Sequence, residues 1–148
     1  MKEIRTEITI NASADRVWNV LTDFASFPQW NPFITSAEGE LTPGQTLTIR
    51  LQSPGGKGMT FKPKVLVAEP NKELRWLGRL GMPGIFDGEH YFVIEAADDG
   101  GTRFVQGERL RGILVPILGI LGMIKNTQQG FTNLNQALKA RAEESEAT

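Results

Sequence analysis

The sequence predicts an α+β domain in which an antiparallel sheet faces one long C-terminal helix. Three observations carry this. Lys2 to Ile10 alternates, with Ile4, Thr6, Ile8 and Ile10 on one side and Arg5, Glu7 and Thr9 on the other. That is the period of a strand with one wet face. From Ile34 to Gly112, short strand-like runs are separated by turn residues. After Pro116, apolar residues recur at threes and fours, the period of a helix with one buried side.

Each element has a local cause. Ser13 suits an N-cap and Asp15 suits the first turn of a helix carrying Val17, Trp18, Val20 and Leu21. Asp23 to Phe27 predicts a second short helix ended by Pro28, and Trp30-Asn31-Pro32-Phe33 an aromatic turn, because Asn31 precedes a proline. Strands are expected at Ile34–Glu40, Gln45–Gln52, Gly58–Ala68, Lys72–Leu80, Phe86–Ala96 and Thr102–Gly112. Pro43-Gly44, Pro54-Gly55-Gly56, Pro70-Asn71, Pro83-Gly84 and Asp98-Asp99-Gly100-Gly101 separate them, which implies a meander. The last helix carries Ile117, Ile120, Leu121, Ile124, Phe131, Leu134 and Leu138 on its apolar side, with Gln128, Asn135 and Lys139 expected on the wetter side. A twisted sheet of this size can curl around that helix. The whole chain, 1–148, is expected to form one domain, burying about 70% of its unfolded surface.

Composition narrows the chemistry. There is no cysteine, which removes thiol nucleophiles, disulfides and cysteine metal sites. A single histidine, His90, removes any site needing two imidazoles. Lys plus Arg total 16 against 17 Asp plus Glu, so no basic surplus points to nucleic acid. The longest apolar run, Ile113 to Ile124, holds Pro116, Gly119 and Gly122 and falls short of the roughly 20 residues that span a bilayer. A soluble, cytoplasmic protein without stable membrane insertion is expected. Nothing in the sequence specifies an oligomeric state or a partner chain.

Several segments together resemble the SRPBCC superfamily, which groups START lipid-transfer domains and birch-pollen-allergen-like proteins, and within it the polyketide cyclase/dehydrase branch. They are Val17-Trp18, Asp23-Phe24, Pro28-Gln29-Trp30-Asn31-Pro32-Phe33, Leu74-Arg75-Trp76-Leu77-Gly78 and Phe86-Asp87-Gly88-Glu89-His90-Tyr91-Phe92. Thr102-Arg103-Phe104, Gln106-Gly107-Glu108 and the late Gly130-Phe131, Asn133-Leu134-Asn135 complete the set. The resemblance spans nearly the whole chain. It implies a helix-grip fold, a curved seven-stranded antiparallel sheet holding the long helix over an apolar cavity. It also implies a small hydrophobic ligand, such as a lipid, polyketide or aromatic metabolite, and in some members polyketide cyclisation.

Strand parity then selects candidate residues. Phe86, His90, Phe92 and Ile94 share one face of their strand, and Phe104, Gln106, Glu108 and Leu110 one face of the next. If the Asp98–Gly101 hairpin pairs Ala96 with Thr102, His90 lies across from Glu108 and Phe92 across from Gln106. A histidine beside a carboxylate can serve as a general base with an orienting partner, and equally as a polar pair satisfied inside a sheet. With the resemblance, Trp30, Phe33, Phe61, Trp76, Phe86, Phe92, Leu110, Ile117 and Leu121 are expected to line the cavity. His90, Gln106 and Glu108 would orient the ligand's polar end. No metal or cofactor is expected. The Gly81–Phe86 loop and the Gly112–Gly122 segment are candidate gates. The expected function is binding or carrying of the ligand. The rivals are a cyclase or dehydratase using His90 and Glu108, and a protein-interaction module with a filled interior.

Overall fold

The computed structural model describes residues 2–52, 54, 58–79, 82–116 and 122–144. Eight strands occur among them: β1 (Lys2–Ile10), β2 (Ile34–Glu38), β3 (Thr48–Gln52), β4 (Gly58–Phe61), β5 (Lys64–Glu69), β6 (Glu73–Arg79), β7 (Asp87–Ala96) and β8 (Thr102–Arg111). Helix α1 spans Ala14–Thr22, α2 Phe27–Trp30 and α3 Met123–Ala142. The strands form a five-stranded antiparallel sheet, β1-β8-β7-β6-β5, and a three-stranded one, β2-β3-β4.

The eighth strand arises from one proline. The expected strand Gly58–Ala68 breaks at Lys62-Pro63, leaving β4 in one sheet and β5 in the other. Proline offers no N–H to a ladder, so the pairing is interrupted there. Around this break the sheets are stitched into one curved surface. Leu47 N donates to Pro63 O at 2.8 Å, Val65 N to Gln45 O at 2.8 Å and Gly44 N to Val65 O at 2.9 Å. This is the curl that the helix-grip expectation requires, with a long helix against the concave side.

Helix α3 packs on β1, β8 and α1. Leu134 and Leu138 are fully buried, and Lys139 Nζ donates to Thr9 O at 3.0 Å. Gly130 lets the helix close on the turn after α2: a Cβ there would collide with the Phe33 ring. Phe33 meets Phe131 edge-on at 5.6 Å. Asn135 departs from the sequence expectation. It is buried, because it faces the sheet and finds polar partners there.

The small helices are held by their own caps. Ser13 Oγ accepts from Arg16 N at 3.1 Å, as its N-cap position predicts. Pro28 opens α2 rather than ending the preceding turn, since a first-turn residue needs no N–H partner. Asn31 then turns extended before Pro32, and its Oδ1 accepts from Phe33 N and Ile34 N at 3.0 and 2.8 Å. That bond sets Phe33 into the core.

The outer face of the sheet is charged and paired. Arg75 bonds Glu73 and Glu89 at 2.9 and 2.5 Å, and Arg103 bonds Glu7 and Glu95. Tyr91 lies over Gly107, where a Cβ would strike its ring, and donates to Glu3 at 2.9 Å. Burial and the Glu3 carboxylate push the Tyr91 phenol up to about 12. Arg75, Arg79, Arg103 and Arg109 on this face thus sit in ion pairs.

Candidate ligand-binding site

The inner face is a grid set by the ladder. Val65, Trp76, His90, Glu108 and Ile4 form one row across β5-β6-β7-β8-β1. Leu74, Phe92, Gln106 and Thr6 form the row on one side of it. Gly78, Gly88 and Leu110 form the row on the other. The β7–β8 register is the one the Asp98–Gly101 hairpin implies: Ala96 pairs with Thr102, and His90 stands across from Glu108. Asp99 Oδ1 holds that turn by accepting from Gly101 N at 2.9 Å.

His90 is 4% exposed and stacked among rings. Phe92 lies 4.5 Å away and nearly parallel, Phe131 lies at 4.8 Å and Trp76 at 5.3 Å. Its hydrogen bond does not go to Glu108. Nε2 meets Gln106 Oε1 at 2.9 Å. A glutamine reaches diagonally past its cross-strand neighbour, and Gln106 is anchored for this by its own donors. Its Nε2 donates to Asn135 Oδ1 at 2.8 Å and to Phe131 O at 3.3 Å. Asn135 Nδ2 donates to Thr6 Oγ1 at 2.8 Å, and Thr6 Oγ1 donates to Gln106 O at 2.9 Å.

This closed chain assigns the imidazole tautomer. With both amide hydrogens of Gln106 committed, its oxygen faces His90, so Nε2 carries the proton. Nδ1 is left as an acceptor with no partner among the described residues. Burial pulls the His90 pKa down to about 4, against the opposing pull of the Gln106 bond. The ring is neutral at pH 7.

Glu108 has no hydrogen-bond or ion-pair partner among the described residues. Protein packed around it pushes its pKa up to about 7, with burial the sole cause. It nevertheless keeps some accessible surface. The carboxyl lies over Gly88, where a Cβ would stand 2.8 Å from Oε2. The next position on β6, Gly78, is also bare. Nothing among the described residues comes nearer than 4.0 Å to the place of its missing Cβ. Gly78 thus leaves side-chain space open on the inner face, two positions along β6 from Trp76, while the space over Gly88 is taken by the Glu108 carboxyl.

The other predicted lining residues distribute unevenly. Trp76, His90, Phe92, Gln106, Glu108 and Leu110 come together on this wall. Phe86 precedes β7 with the same parity and is half-buried. Phe33 is fully packed and meets the group through the Phe131 ring. Trp30 makes a ring contact with Phe27 at 5.3 Å. Phe61 lies on β4, opposite Ile49 in the smaller sheet. Ile117 and Leu121 lie outside the described residues, as do Gly81 and residues 117–121 of the second candidate gate. In the part that is described, Ile113 N donates to Gly84 O and Leu114 N to Ile85 O, both at 3.1 Å, so the two gate segments are hydrogen-bonded to each other. Sequence reasoning missed Asn135 and Thr6 as the partners that lock Gln106. Their one signal was polar identity at positions of inward spacing.

The curved sheet, the gripped helix and an apolar inner wall with a few polar groups define a helix-grip protein of the SRPBCC class. The chain belongs to the family described as polyketide cyclase / dehydrase and lipid transport, whose model matches residues 1–143. Solved structures agree at the level of fold. An aromatase/cyclase, Zhui, from Streptomyces sp. R1128 superposes with a TM-score of 0.78 at 17% identity, covering 99% of this chain and 97% of that one. A START superfamily protein from Mycobacterium smegmatis gives 0.72 at 21% identity, covering 96% and 97%. A protein from Thermus thermophilus gives 0.73 at 22%, covering 95% and 97%. A search of the curated proteins gives no match. Among the described residues, no helix is long and apolar enough to cross a membrane.

Proposed function

We propose that this protein binds and carries a small hydrophobic molecule between the concave sheet and α3, without chemically changing it. The observation that supports the reading is the side-chain space left open at Gly78, on an inner face of aromatic and aliphatic side chains that holds, among the described residues, the unpartnered Glu108 carboxyl over Gly88. Ligand sites are concave, mostly apolar and supplied with few polar groups. Burial of the ligand's apolar surface would supply most of the affinity, at about 25 cal/mol per Å² before the costs of association.

The state of His90 favours carrying over catalysis. A general base works best with a pKa near the operating pH. His90, near 4, is a weak base, and its proton is held toward Gln106 rather than shared with Glu108. The cyclase reading would need a rearrangement of that network before His90 could take a proton.

The open position itself supplies the test. Gly78→Val puts a side chain into this space, where a Cβ comes no nearer than 4.0 Å to Gly88 O and Pro63 Cβ. Titration with an apolar fluorescent probe should give saturable one-to-one binding to the wild type and at least tenfold weaker binding to the variant. Equal affinity in both would overturn the placement, and no saturable binding in either would overturn the function.

A further inference from the structure

The inner wall is asymmetric in what it leaves unsatisfied. Both amide hydrogens of Gln106, the Thr6 hydroxyl, one N–H of Asn135 and Nε2–H of His90 are engaged within the closed chain. Two acceptors on this wall stand open side by side, the ionised Glu108 carboxylate and His90 Nδ1; the Trp76 indole N–H, one strand away, is a donor left without a partner among the described residues. The two acceptors stand on adjacent strands at directly opposed positions. Among the described residues, no cation is placed to answer them. Ile4 faces Glu108 from β1 and Leu110 follows it on β8, and Lys2, opposite Leu110, is exposed. No charged group contributes to the perturbation of Glu108.

An uncompensated carboxylate inside a protein is costly, and a partner that brings hydrogen-bond donors and positive charge relieves that cost. A carboxylate ligand would meet like charge, and an ester or ketone would offer no donor. A primary ammonium offers three donors and the complementary charge.

We propose that the molecule bound at the space left open by Gly78 is a hydrophobic amine, its ammonium held by the Glu108 carboxylate and a further N–H directed to His90 Nδ1. The inference rests on the carrying function proposed above and specifies the chemical class it serves. Glu108 is then the residue that determines specificity, and Gly88 is what lets its carboxyl lie flat against the strand.

Three probes with the same apolar tail separate the possibilities: dodecylamine, 1-dodecanol and dodecanoate. Each is titrated at pH 8, below its micelle concentration, against wild-type protein and Glu108→Gln, by displacement of the apolar fluorescent probe. The expected result is at least tenfold tighter binding of the amine than of either other compound in the wild type. In Glu108→Gln that preference should shrink to about twofold or less. Comparable binding of all three, a preference for dodecanoate, or an amine preference that survives in Glu108→Gln would overturn the amine proposal and leave the carrying function standing. Failure of all three to displace the probe would count against the carrying function itself. The wild-type ranking alone decides between these outcomes should the variant fail to fold.

Discussion

Glu108 and His90 titrate in opposite senses, and their pH signatures should separate. In the unfolded chain Glu108 has the ordinary carboxylate value of 4.5, and in the fold about 7. Between those values the folded state holds the extra proton, so the Glu108 contribution to stability falls as pH rises from 4.5 to 7. His90 runs from 6.5 unfolded to about 4 folded. There the unfolded state holds the extra proton, so its contribution falls as pH drops through that window. Where the windows overlap the two offset each other. Glu108→Gln removes one of them. The variant should match the wild type near pH 4.5 and exceed it by about 2 kcal/mol at pH 8, after allowance for partial exposure. Urea denaturation across pH measures this, and a pH-independent difference would contradict it. Gln106→Leu should destabilise by about 2–3 kcal/mol at pH 7, because it strands His90, Asn135 and the Phe131 carbonyl together. At this scale the sequence made parity and pairing legible, since a hairpin turn fixes register. It did not make the side-chain partner legible: a glutamine's reach lets the diagonal bond to His90 win over the directly opposed carboxylate.

The elements record where local signals suffice. The capped α1, the β7–β8 hairpin and the apolar period of α3 could all be read because each depends on neighbours in sequence. The strand broken at Pro63 could not be placed the same way. Proline marks a ladder defect, but whether the strand ends, bulges or changes sheet depends on the segment at Gly44–Leu47, distant in sequence, that bonds to it. Asn135 was misjudged for a related reason: helical period gives two faces, and the side occupied by Gln106 and Thr6 is fixed only by packing on the sheet. The approach of α3 to Phe33 yields a prediction. Gly130→Ala gains about 1 kcal/mol of helix propensity but forces a methyl into a ring at a closely packed contact. The net effect should be a loss of about 1–2 kcal/mol in chemical denaturation. Stabilisation by the full propensity gain would show that the helix does not close tightly on the Phe33 ring.

For the molecule as a whole, one curved surface does two jobs. Its outer face places its charges in ion pairs and stacks arginines about Tyr91, which holds the strands in register from the solvent side. Its inner face packs against α3 at β1 and β8 and withholds side chains at Gly78 and Gly88. If the space at Gly78 serves ligand and not folding, Gly78→Val should retain the wild-type melting temperature or raise it, because valine suits a strand better than glycine. A fall of several degrees in thermal unfolding would instead mark the bare position as a packing requirement. The central claim is that this interior takes up an apolar molecule. Native mass spectrometry of the purified wild-type protein, before and after exposure to dodecylamine, tests it most directly. A single one-to-one adduct is expected, retained in the wild type and missing in Gly78→Val. A protein that neither retains nor takes up any apolar compound would contradict the claim.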